Sequence, residues 1–475
     1  MKVKLLGLTT KKFLEKQVNI CAAAGKLSRM PGTVFDAVNS MKDYDKALKF
    51  IKRVIGMGHT STIDHDYMVF ALSEVTPIVE QTIIEERFSS FTIKSRREVD
   101  FSNVGFYVPE FRDINGNIIE DNNELKKEYK KYMKKLFKSY KELVENNISK
   151  EDARFVLPYC YHSEIIMGLD GTSLVRMVTK LTKGKYSKIT ELKELGEKLY
   201  EIAKIRAPYI VELIEKENNI DCDELDDLFD NVEFSNRTLL QEPKLLSYTE
   251  DIDGTLFINY LARTKGLNID LARKIYEEKI KENDCIKNKL IKAIFNDFEH
   301  NDLKQINMRF QLGIPFAILT HYTRHRRLAL SIPDFAPVPN LEDYVTPPSI
   351  KNSNMLDFYN KIFIENVKMY HKFKKANVCE EDLVYFVLSG NAVNVIINFD
   401  GEAFRWICRL RECTKAQWCI RQAVTTMHKE ISKVSTYFSE NLGPDCVTQH
   451  ICGEGKESCG RIYNILDKIK KEGNK

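Results

Sequence analysis

Tyr67-Met-Val-Phe-Ala-Leu72 and Met308-Arg-Phe-Gln-Leu-Gly-Ile314 are short β-rich runs, each followed by a proline-marked turn, at Pro77 and Pro315, and then by a helical stretch. Outward from these runs the same order continues in both halves. A helix ends in a charged cluster, an irregular loop follows, and the chain leaves through Tyr107-Val-Pro109 or Tyr344-Val-Thr-Pro347. Next come a helix, an apolar Phe-Val-Leu segment (Phe155 to Leu157; Phe386 to Leu388) and a last helix. One order met twice marks an internal repeat. Much of the remainder, such as Glu124 to Glu145 and Asp270 to Phe295, has apolar residues at three- and four-residue spacing and predicts amphipathic helix. The acidic stretch Asp221 to Glu242 is poor in apolar residues. It suggests a boundary near residue 235, giving domains over 1–235 and 236–475.

Composition narrows the function. A chain of 475 residues exceeds one ordinary core, so two domains are the simplest count. With 43% hydrophobic and 29% charged residues it reads as globular, and no apolar run approaches the roughly 20 residues that cross a bilayer. The start, Met1-Lys-Val-Lys-Leu-Leu-Gly-Leu-Thr9, has too short an apolar stretch for a signal peptide, so a cytoplasmic protein without a membrane role is expected. Its 11 cysteines are scattered and odd in number, which predicts reduced thiols. A net charge of +4 is nearly balanced and argues against nucleic-acid binding through Arg324 to Arg327 and the lysine-rich helices.

Several motifs carry chemistry. Arg324-His325-Arg326 lies downstream of Pro315, and Leu410-Arg411 is followed after four residues by Ala416-Gln417-Trp418 and, one residue on, Ile420. In the first half stand His59-Thr-Ser61-Thr-Ile-Asp64-His65, then Arg87-x2-Ser90-x4-Ser95-x-Arg97, then Ala153-Arg154-Phe-Val-Leu157-Pro158. Taken together, this set resembles the flavin-dependent thymidylate synthase family. The matching segments are the Arg-His-Arg signature with its Ser-x4-Ser-x-Arg continuation, the Leu-Arg-x4-Ala-Gln-Trp-x-Ile helix, and the His-x-Ser-x-x-Glu-His opening with Asp64 in place of Glu. The resemblance implies an α/β (α+β) fold of two tandem copies, each an antiparallel sheet with long helices.

The departures are sorted between the halves. Where the second half has Arg-His-Arg the first has Glu85-Glu86-Arg87, and Leu181 stands near the position of Arg411. The second half lacks the serine loop and has Tyr385 where the first has Arg154. By resemblance one partner supplies the loop and the Ala-Arg arginine, here Ser95, Arg96, Arg97 and Arg154. The other supplies His321, which stands in place of the family's Gln, with Arg324 and Arg411. One composite nucleotide site is then complete and its mirror image lost, as fusion of two protomers permits.

The family further implies FAD near His59, Ser61, Arg324, His325 and Arg326, with dUMP as substrate, methylenetetrahydrofolate as carbon donor and a nicotinamide reductant. A homodimer of two-domain chains would match the family's tetramer. Arg411, a permanent cation, suits an ionised uracil N3 and is the expected catalytic residue. Cys160 reads as buried packing rather than as a nucleophile. Asp400, Glu402 and Trp406 stand where the family has Asn, Arg and Asn, and an acidic pair there opposes a pyrophosphate. The alternative is therefore a diverged nucleotide- or flavin-binding relative with other chemistry or none. Cys446, His450, Cys452 and Cys459 supply four potential soft ligands, but their spacing fits no standard zinc pattern, so loose thiols are the expectation and a bound metal the alternative.

Overall fold

The computed structural model describes residues 1–9, 14–216 and 239–473, so the expected boundary near residue 235 lies outside the described residues. The chain forms two compact units, Met1–Arg237 with Asp334–Asn391, and Thr238–Pro333 with Ala392–Lys475. Among the described residues no helix is long and apolar enough to cross a membrane.

Each unit is built on one four-stranded antiparallel sheet. In the first, β1 (Lys2–Leu8), β2 (Tyr67–Val75), β3 (Ser90–Ile93) and β4 (Ser163–Asp170) are ordered β1-β2-β4-β3. In the second, β5 (Lys244–Tyr248), β6 (Asn307–Pro315), β7 (Ala329–Ser331) and β8 (Ala392–Asp400) are ordered β5-β6-β8-β7. Both central pairs start in the same register, Tyr67 opposite Asp170 and Asn307 opposite Asp400. The two β-rich runs supply the central strands because alternate residues face the core: Met68, Phe70 and Leu72 are buried in one, Met308, Phe310, Leu312 and Ile314 in the other. Tandem copies of one fold are thus present.

The repeat extends to the helices. After β2 the buried helix Pro77–Ile84 ends at Glu85, and after β6 the buried helix Phe316–Thr323 ends at Arg324. After β4 Asp170 caps the helix Gly171–Thr182 by accepting from Ser173 N at 2.7 Å; after β8 Asp400 caps the helix Gly401–Arg411 through Ala403 N at 2.6 Å. Glycine at both helix starts admits a close approach. A Cβ on Gly171 would stand 2.4 Å from Ile63 O, and one on Gly401 2.6 Å from Leu303 O.

The first unit owes much of its core to two long helices, Asn122–Glu145 and Leu356–Lys375. Tyr129, Met133, Tyr140, Tyr359, Phe363 and Phe373 are buried along them. Asn366 accepts from the Tyr132 hydroxyl at 3.2 Å and donates to Phe386 O at 2.7 Å. Backbone bonds join the two Phe-Val-Leu segments: Gly390 N to Phe155 O at 2.6 Å, Ser389 N to Leu157 O at 2.9 Å and Tyr159 N to Val387 O at 2.7 Å. Arg112 adds a bidentate fork to the buried Asp382, at 3.0 and 2.7 Å.

Two helices expected to be continuous are broken. Asp270 to Phe295 divides into Ile269–Ile275, a π-turn Tyr276–Ile280 and Asp284–Asn296, because Asn283 caps the last by accepting from Ile286 N at 3.1 Å. The Leu-Arg-x4-Ala-Gln-Trp-x-Ile segment is likewise not one helix. It stops at Arg411 and restarts at Trp418, where the Gln417 side chain accepts from Cys419 N at 2.7 Å and Ile420 N at 3.2 Å.

Candidate functional site

In the first unit two basic regions gather the expected residues. His59 precedes the short helical turn Thr60–His65, at the junction with β2. Its Nε2 lies 2.7 Å from Arg29 Nη2. Both line a cavity of about 350 Å³, together with Lys26, Arg53, Ser61 and His65. His59 and Ser61, both expected near the cofactor, lie on these donor-rich walls.

The second region follows β3, where Ser95, Arg96 and Arg97 occupy a loop whose turn is held by Arg97 N donating to Ser95 Oγ at 3.3 Å. Arg154 lies beside them, buried in a 3₁₀ turn, its Nε donating to Glu151 O at 3.1 Å. Arg97 pairs with the Glu151 carboxylate. Arg96, also buried, is 3.2 Å from the fully buried Glu80 and donates to the Tyr161 hydroxyl. Burial opposes the Arg96 charge, but Glu80 more than compensates and the guanidinium stays protonated. Arg154 goes the other way. Burial, followed by the neighbouring Arg96, pulls its guanidinium down to about 10, and its buried Nη2 has no hydrogen-bond partner. Of these three guanidiniums, Arg96 and Arg97 are paired with carboxylates and Arg154 keeps an unsatisfied buried donor.

In the second unit the Arg-His-Arg triplet lies at the end of the helix Phe316–Thr323, with His321 buried within it. Arg324 and Arg326 are exposed, whereas His325 is buried and accepts at Nε2 from Arg411 Nε at 3.0 Å. That bond brings the triplet together with the last residue of the helix Gly401–Arg411. Burial first, then the Arg411 and Arg324 cations, push the His325 imidazole down to about 3, so it is neutral and an acceptor at neutral pH. Arg411 thereby donates to a neutral acceptor.

The same positions in the first repeat are occupied differently. Glu85 accepts from Gln81 at 2.9 Å, Glu86 from Arg176 at 2.8 Å, and Leu181 is fully buried. Tyr385, at the place of Arg154 in the second repeat, is a core residue of the first unit. Its hydroxyl donates at 3.2 Å to the buried Glu191, whose carboxyl burial pushes up to about 7 despite bonds from Thr76. Glu402, read from sequence as repelling a pyrophosphate, is already neutralised by Arg327, with Lys304 3.7 Å away, and Asp400 is committed to its cap. Trp406 is half-exposed beneath Arg409, 4.9 Å from its ring centre. Cys160 is fully buried, its thiol pushed up to about 12 by burial, consistent with packing.

The state of His325 is measurable. An unfolded imidazole, with an ordinary value of 6.5, takes up a proton that the folded one refuses down to about 3, so acidification through this window destabilises the fold. At pH 5 the loss is about 2 kcal/mol. Asp66 and Glu191, pushed up to about 7 by burial, act in the opposite sense and gain protons in the folded state as pH falls. Urea unfolding at pH 7 and pH 5 should therefore show His325→Gln gaining about 2 kcal/mol relative to wild type on acidification. An equal difference at both pH values would mean that His325 is not held neutral.

The fold and these residues define an α/β protein of two tandem antiparallel-sheet domains, each carrying arginine-rich clusters. The chain belongs to the family described as thymidylate synthase complementing protein (Thy1), whose model matches residues 11–209 and 244–435. It is 27% identical over 140 residues to the flavin-dependent thymidylate synthase of Pyrococcus abyssi, covering 29% of this chain and 53% of that protein. To the flavin-dependent thymidylate synthase of Sulfurisphaera tokodaii it is 26% identical over 210 residues, 43% of this chain and 78% of the relative. The chain spans about half the length of the first curated relatives it matches. Among solved structures, thymidylate synthase X from Helicobacter pylori with FAD and dUMP aligns at 19% identity and a TM-score of 0.34, covering 46% of this chain and all of that one. The UMP/dUMP methylase PolB from Streptomyces cacaoi, bound with 5-Br dUMP, aligns at 20% identity and a TM-score of 0.38, over 46% and 95%.

Proposed function

We propose that this chain is an FAD-dependent thymidylate synthase that methylates dUMP reductively to dTMP, with methylenetetrahydrofolate as carbon donor and a nicotinamide reductant. It works at one composite nucleotide site, to which two repeats dividing near residue 235 contribute different residues, in a homodimer of two-domain chains. The observation that carries this reading is the division of the motif. Ser95, Arg97 and the unsatisfied Arg154 survive only in the first repeat, and the Arg411–His325 pair with Arg324 only in the second.

The residue chemistry supports it. Ser95, Arg97 and Arg154 offer a hydroxyl and guanidinium forks to the dUMP phosphate, Arg96 being held by Glu80 as part of the cradle's frame. Arg411 favours the ionised N3 of uracil and so raises electron density at C5, which removes the need for a protein nucleophile. His321 and Arg324 lie on the helix end that faces the base and the cofactor in this reading. His59 and Ser61, on the basic cavity, together with His325 and Arg326, hold the cofactor. FAD when bound supplies the hydride.

The test is anaerobic formation of dTMP by the purified full-length chain, given FAD, methylenetetrahydrofolate, dUMP and a nicotinamide reductant. Labelled dTMP is expected. The absence of product from protein that binds FAD and dUMP would instead assign a diverged nucleotide-binding relative, the second reading, which Asp400, Glu402 and Trp406 in place of the family's Asn, Arg and Asn favour.

A further inference from the structure

We infer that Cys413, Cys446, Cys452 and Cys459 bind one zinc ion as a structural tetrathiolate site in the second unit. These four residues come from three separate places in the chain. Cys413 is in the turn between the helices Gly401–Arg411 and Trp418–Ser432, Cys446 in the short helix Asp445–Thr448, and Cys452 and Cys459 in the loop before the helix Arg461–Gly473. All four line one small cavity of about 20 Å³. None is in a disulfide. Cys446 is within electrostatic reach of the other three.

Four cysteines on the wall of one small cavity offer a complete donor set to a soft ion, which would draw their sulfurs together on binding. Thiolate sulfur selects zinc, iron or copper(I) over hard cations. A cavity of this size admits a single ion rather than a cluster. Among single ions, a complete set of four thiolates is the donor set of structural zinc. Zinc with four thiolates carries two negative charges, and of the charged residues on the lining Lys415 and Arg461 offset them while Glu454 adds to them.

The surrounding chain needs such a clamp. The loop turns at His450, Gly455 and Gly460, all with positive φ, and its apolar residue Ile451 is 62% exposed, so it has little core of its own. The site ties this loop and the last helix to the turn in which Cys413 lies two residues after the expected catalytic Arg411. The motif read from sequence alone included His450, which does not line the cavity, and missed Cys413, which does. A second set, Cys408, Glu412 and His428, lies within 4.8 Å, but both His428 nitrogens are engaged, by Glu412 at 2.8 Å and Ser439 O at 3.0 Å, and it carries no such assignment.

The experiment is elemental analysis of the full-length chain purified under reducing conditions, with cobalt(II) substitution as an independent readout. Wild type and His450→Ala should each hold about one zinc per chain, and Cys452→Ser/Cys459→Ser less than about a tenth of that. Cobalt(II) added to metal-stripped wild type should give the visible bands of tetrahedral thiolate coordination, with the double variant giving none. Metal-free wild type that develops no such bands would overturn the assignment, as would iron with acid-labile sulfide, disulfides among the four cysteines, or zinc lost in His450→Ala. None of these readouts depends on synthase activity, so the site stands or falls apart from the proposed reaction.

Discussion

Arg411→Ala is expected to lower dTMP formation by about 10²–10³-fold, whereas Glu85→Ala should leave it nearly unchanged. Arg411 lies at the helix end with only part of its side chain covered, and it donates to a histidine kept neutral by burial. Its removal leaves the core intact, so unfolding temperature should move little while the kcat term falls. The charge has its largest effect where negative charge develops on the uracil ring, in the transition state more than in the bound substrate. Arg411→Lys keeps the cation but loses the planar fork and the bond to His325 Nε2, and should recover only part of the rate. Glu85 occupies the equivalent helix end of the first repeat, where Gln81 holds it at 2.9 Å and no arginine corresponds to Arg411. Steady-state kinetics of the three variants separate one working site from two. Equal damage from Arg411→Ala and Glu85→Ala would refute the single composite site.

How far the sequence carried the fold depended on the kind of signal involved. The central strands were legible because alternation along Tyr67–Leu72 and Met308–Ile314 directly reports a sheet with one face in the core. Helix breaks at Asn283 and Gln417 were not, since amphipathic spacing runs on across a residue whose side chain turns back to cap the next helix. Backbone bonds between Phe155–Leu157 and Val387–Gly390 leave no mark on residue type, so the pairing of the two Phe-Val-Leu segments was invisible. Within the candidate site, Arg324, His325 and Arg411 were recognisable as motifs, but their junction through the His325 ring was a matter of tertiary geometry. Glu402 looked repulsive in isolation because its partner Arg327 is distant in sequence. Cys413 escaped for the same reason, a whole helix separating it from the other three thiols.

Arg154→Met is expected to weaken dUMP binding by about 10²-fold while leaving the ligand-free protein as stable as wild type or more so. The Arg154 side chain is 2% exposed, its Nη2 donor lacks a partner, and burial with Arg96 nearby pulls its affinity for the proton down. An unsatisfied buried donor costs about 1–3 kcal/mol, and a methionine of similar length fills the space without that cost. Such a donor costs the empty fold stability; Glu151 offsets that cost only in part, and an anion would satisfy the donor. Two measurements bear on this, thermal unfolding with and without dUMP and a direct binding titration, and inorganic phosphate serves as the minimal anion. In wild type, dUMP should raise the unfolding temperature strongly and phosphate modestly, and both shifts should shrink in Arg154→Met. Arg154→Lys, which keeps charge without the guanidinium fork, should fall between them. If Arg154→Met instead lowers the stability of the ligand-free protein by more than about 3 kcal/mol and binds dUMP as wild type does, Arg154 is a structural cation, and the phosphate cradle lies elsewhere.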